Sequence, residues 1–149
     1  PQAADFSIGR FQMKPSFAED LERQLQANDS LGKMYNNLLT FKSNDVKAIR
    51  TERIKRLGSF KWQLIYLNSF VSIINQKFPD KEFASQADKV SFYAAAYNGG
   101  YHKSSKEIET SATLRYYPYG TKYKGKQYSY SDVAVYYFNK TFAPKISNK

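Results

Sequence analysis

Cysteine is absent from this chain, and histidine occurs once, as His102. Disulfides and thiolate metal sites are thereby excluded, and a single imidazole cannot build a multi-histidine zinc site, so no metal or other cofactor is expected. No apolar run approaches the roughly 18 residues that cross a bilayer. No transmembrane segment is expected, and Pro1-Gln2-Ala3-Ala4-Asp5 has neither the basic nor the apolar region of an export signal. Acidic residues are scarce beside basic ones: 13 Asp plus Glu face 23 Lys plus Arg, a formal charge of +10. That surplus draws polyanions, which leaves nucleic acid, an anionic membrane, or a bacterial wall with its peptide carboxylates and anionic polymers as partners. Solubility alone is the plainer reading of the same surplus.

Apolar and aromatic residues are plentiful. With 42% hydrophobic content, 11 Phe and 13 Tyr, the 149 residues suffice for one core, which predicts a single domain over 1–149. Ser16-Phe17-Ala18-Glu19 has capping-box spacing, and Phe17, Leu21 and Leu25 recur at helical intervals, predicting a helix from Ser16 to about Ala27 in which the cap accounts for Glu19. Leu31, Met34, Tyr35, Leu38 and Leu39 predict a second, short helix. Ser43-Asn44-Asp45 caps a third, ended by Gly58, that turns Lys47, Arg50, Arg53, Lys55 and Arg56 to solvent.

From Ser59 to Phe78 nearly every helical face is apolar, so this helix is expected at the centre, buried on most sides. Pro79-Asp80 stops it. Another helix is predicted from Phe83 to Tyr97, where Ala94, Ala95 and Ala96 admit a close neighbour before Gly99-Gly100. Ser104 to Ser111 reads as a short helix, Arg115 to Tyr130 as a loop or small hairpin punctuated by Pro118, Gly120 and Gly125, and Ser131-Asp132 as the cap of a last helix. The fold class is all-α, packed around a central helix, with a small irregular or hairpin segment near 115–130.

Two segments carry residue choices that helix packing alone does not require. In Ser7-Ile8-Gly9-Arg10-Phe11-Gln12-Met13-Lys14-Pro15, a glycine lets backbone approach a ligand and Gln12 offers a donor with an acceptor, the pairing that sugar hydroxyls need. In Ala94-Ala95-Ala96-Tyr97-Asn98-Gly99-Gly100-Tyr101-His102, a phenol and an amide stand at a helix end, able to hold a carboxylic acid or an acetamido group. Taken singly, the segments read as a loop feeding a helix and as a helix cap over a buried tyrosine.

Taken together, Gly9, Gln12, Pro15 and Ala18 in Gly-x-x-Gln-x-x-Pro-x-x-Ala, followed by Ala95-Ala96-Tyr97-Asn98-x-Gly100, resemble the soluble lytic transglycosylases, relatives of the goose-type lysozymes. The resemblance implies a lysozyme-like helical domain in which the two motifs face each other across a peptidoglycan groove. It implies that Tyr97 orients the catalytic acid, and that Ser7, Gly9, Gln12, Asn98, Tyr101 and His102 are the candidates for sugar contact. In that family the glutamate that protonates the bond between N-acetylmuramic acid and N-acetylglucosamine lies well upstream of the glycine-glutamine turn, so it is expected before Pro1. The chain departs from the family pattern at Arg10-Phe11, at Lys14 and at Gly99. A location outside the cytoplasm follows from the substrate, with glycan strands, anionic wall polymers and envelope proteins as partners.

The tyrosines between Tyr116 and Tyr130 lie among Lys122, Lys124 and Lys126, as a platform for pyranose rings and an anionic polymer or as a satellite core under a solvated loop. Two other classes stay open. One is a wall-binding scaffold of the same fold without catalysis, and the other is a nucleic-acid binder that stacks bases and tracks phosphates.

Overall fold

The computed structural model describes residues 5–142. Eight α-helices and no strand are present among them, so the protein is all-α. In chain order they are α1 (Pro15–Gln26), α2 (Asp29–Met34), α3 (Asn36–Leu39), α4 (Val46–Leu57), α5 (Phe60–Lys77), α6 (Gln86–Gly99), α7 (Ser105–Ala112) and α8 (Tyr130–Thr141). None is long and apolar enough to cross a membrane. The chain divides into two compact units, Pro1–Lys77 and Phe78–Lys149.

In the first unit α5 packs on α1, α2 and α4. Leu21 and Leu25 of α1, Leu38, Leu57, and Tyr66, Phe70 and Ile74 of α5 form its core. Burial of α5 is one-sided: Gln63 and Ser69 lie on the buried face, while Phe60 and Leu64 are exposed. The capping box expected at Ser16 is absent. Pro15 occupies the first helical turn, and Ser16 lies inside the helix, where its N–H and hydroxyl donate to the two carboxylate oxygens of Asp5 at 2.9 and 2.6 Å. An acid eleven residues back therefore caps α1, and Glu19 stands exposed, 3.7 Å from Arg53.

Helix α4 keeps its expected start, Asp45 accepting from Ala48 N–H, and its expected end at Gly58. Its basic face is not all solvated. Arg53 and Arg56 are each 6% exposed, whereas Val46 is 78% exposed. Arg56 donates to the carbonyls of Leu38 and Thr40 and to Glu52, and its guanidinium lies over Phe41 and Trp62.

In the second unit α6 packs on α7 and α8. Ala95 and Ala96 are buried, and Ser131 of α8 donates to Ser91 O at 2.8 Å, an approach that the small side chains permit. Helix α6 begins later than expected because Ser85 caps it, accepting from Asp88 N–H. Phe83 lies ahead of the helix, with its ring and that of Phe78 against Phe92. Ser104 and Glu107 form the capping box of α7. The box of α8 is Ser129 with Asp132, two residues before the expected cap, because Ser131 is used for the contact with Ser91. Residues 115–130 form a small hairpin in which Tyr117 and Tyr128 exchange backbone hydrogen bonds of 3.0 and 3.1 Å.

Candidate functional site

The glycine-glutamine segment is a tight turn. Ile8 and Met13 exchange hydrogen bonds of 2.9 and 3.0 Å, closing a loop whose ends, Gly9 at φ 70° and Gln12 at φ 51°, are both left-handed. That conformation costs a non-glycine residue roughly 1–2 kcal/mol. Gln12 offsets the cost through its own amide, which donates to Gly9 O at 2.8 Å. Gln12 itself is exposed, and its side-chain carbonyl remains as an acceptor.

Gln63 of α5 clamps this turn. Its Nε2 donates to Ile8 O at 2.9 Å and to Leu57 O at 2.6 Å, and its Oε1 accepts from Phe11 N–H at 3.1 Å. A Cβ on Gly9 would fall 1.5 Å from that Nε2. The space beside Gly9 is thus filled by Gln63, whereas the sequence suggested an opening for a ligand. Met13 is buried beneath the turn, and Arg10 and Phe11 lie against the Phe60 ring. Ser7 is exposed one residue before the turn. Gln63 was not singled out from the sequence, although a glutamine inside the apolar run of α5 was visible there.

The second motif ends α6 in the other unit. Tyr97 is half-buried, and burial, with Tyr130 beside it, pushes its phenol above the ordinary value of 10.0. At neutral pH it is a hydrogen-bond donor. Gly100, at φ 101°, terminates the helix with its N–H on Ala96 O. Asn98 is exposed and lines a recess of about 50 Å³ with Lys103, Ser111, Tyr116, Tyr117 and Tyr130. Tyr101 is 3% exposed, its ring 4.2 Å from that of the exposed His102. A buried ring has no face to offer a sugar, so Tyr101 does not take the sugar-contact role that the sequence suggested for it. The two motifs thus belong to different units: Ser7, Gly9 and Gln12 to the first, and Tyr97, Asn98, Tyr101 and His102 to the second.

One carboxylate is deeply buried in the first unit. Glu22 accepts from Arg53 Nε on both oxygens, from Arg53 Nη2 at 2.7 Å, and from the Tyr66 hydroxyl at 2.6 Å. Burial works against the Arg53 charge, but hydrogen bonds and charge from Glu22 outweigh it and hold the guanidinium above its ordinary value. Both Glu22 oxygens are committed to donors within the unit, which makes this a structural ion pair and unsuited to proton delivery. Among the described residues no cluster of His, Cys, Asp and Glu could hold a metal ion.

No protein-family model, curated protein or solved structure matches this chain.

Proposed function

We propose that this chain is a lysozyme-like domain that binds peptidoglycan strands outside the cytoplasm and serves their cleavage by the lytic transglycosylase or lysozyme reaction. The observation that supports this reading is the clamped turn from Ile8 to Met13, which holds Gln12 exposed and left-handed with its amide on Gly9 O. A preformed contact loses little conformational entropy on binding, and a rigid amide that donates and accepts suits hydroxyl and acetamido groups.

In this reading a glutamic acid protonates the oxygen that links N-acetylmuramic acid to N-acetylglucosamine. The muramoyl acetamido group or water then completes the displacement, so a second carboxylate is not required. Incubation with purified sacculi tests both steps: the protein should sediment with them and release muropeptides detectable by mass spectrometry. Retention without release would leave a wall-binding scaffold, and absence of retention would overturn the reading.

A further inference from the structure

The hairpin at 115–130 carries Arg115, Lys122, Lys124 and Lys126 with no acidic residue among them. Its rings are not a buried satellite core. Tyr119 is 67% exposed, and Tyr123 and Tyr128 are also exposed. Backbone pairing of Tyr117 with Tyr128 fixes the hairpin, and the Tyr117 ring meets that of Tyr130 edge-on at 5.3 Å. At its base lies the recess lined by Asn98, Lys103 and Ser111, with Lys103 Nζ 3.5 Å from Ser111 Oγ. An ammonium, an amide and a hydroxyl are thus gathered beside a basic, aromatic surface.

We propose that the hairpin and this recess form a binding site for a carboxylate-bearing polysaccharide, with one acid group entering the recess against Lys103 and Asn98 and sugar faces resting on the exposed tyrosine rings. Size favours a glycan over a nucleic acid. One water needs about 10–15 Å³ of such space, so a recess of about 50 Å³ takes a carboxylate or an acetamido group and excludes a nucleobase. Tyr119 and Tyr123 meet at 50°, which leaves no parallel slot for a base between them. The lysines supply a pull on acid groups along the polymer. The site deepens the glycan reading above, on which it rests for its substrate class.

The test is calorimetric titration of the full chain, at one ionic strength, with polygalacturonate, its methyl ester, and oligothymidylate of equal charge. The acid polymer should bind, with the ester at least about tenfold weaker, the equivalent of about 1.4 kcal/mol. Lys103→Met should lower affinity for the acid polymer about tenfold, a loss of one charge-assisted contact. Tyr119→Ser, on the exposed side of the hairpin, should weaken binding without touching the recess. Equal binding of acid and ester, tighter binding of oligothymidylate, or no binding of polygalacturonate would overturn the site. Sacculi left unbound by a chain that takes polygalacturonate would overturn the wall reading alone, and the converse would overturn this site alone.

Discussion

A carboxylate taken out of water needs donors of matching strength, and Glu22 has a guanidinium on both oxygens and a phenol on one. Removing one member leaves the others buried without compensation. Arg53→Met should therefore destabilise the protein by about 3–5 kcal/mol in urea, and Glu22→Leu added to it should recover part of that loss, because no charge is then left buried. Tyr66 contributes with a sign of its own. Burial, then the Glu22 charge, raises its phenol above the ordinary 10.0, so the stability it supplies is complete below pH 10 and falls as pH climbs toward the higher native value. Tyr66→Phe should cost roughly 1.5–3 kcal/mol at pH 7, the worth of a hydrogen bond to a charged group. It should also flatten the alkaline part of the stability profile measured by urea titration. Neither Arg53 nor Arg56 was legible as buried, since Glu22 lies 31 residues from Arg53 and Leu38 lies 18 from Arg56; a helical wheel records the spacing of α4 alone and contains none of these partners.

Helix starts show how local rules compete. Ser43-Asn44-Asp45 was legible as a cap because its side-chain and backbone partners lie within three residues. At α1 the same pattern failed, since Pro15 sets the first turn and the Ser16 hydroxyl is taken by Asp5. Asp5 is held below its ordinary value of 3.8 chiefly by the Ser16 hydroxyl. Its contribution is present above pH 3.8 and is lost as pH falls through the lower native value. Asp5→Ala should cost about 1 kcal/mol at pH 7, as caps do, and the difference from wild type should vanish in acid. Gly9→Ala should be worse than its left-handed strain alone, because the new methyl must displace Gln63 from Ile8, Leu57 and Phe11. A loss of about 2–4 kcal/mol is expected in chemical denaturation, strain plus an unsatisfied buried amide.

At the scale of the whole molecule the helical class was legible from periodicity, because amphipathic spacing persists over the longer helices, but the one short helix expected from Leu31 to Leu39 is two, α2 and α3, broken at Tyr35. The second unit's cap positions and the exposed face of α5 were not legible, since both follow from which neighbours compete for each serine and each apolar side chain. The helix end at Tyr97 and Asn98 was legible in the second unit, and in the first unit so was a turn at Gly9. Its construction was not legible, because the clamp comes from Gln63, some fifty residues beyond the turn. Glycan binding through that turn is the central claim, and co-sedimentation of Gln12→Ala with purified sacculi, beside wild type and at matched salt, tests it most directly. Retention should fall about tenfold, the worth of one well-placed hydrogen bond, with stability lowered by roughly 1 kcal/mol as the left-handed residue loses its bond to Gly9 O. Equal retention of the two proteins, or none by wild type, would contradict the account.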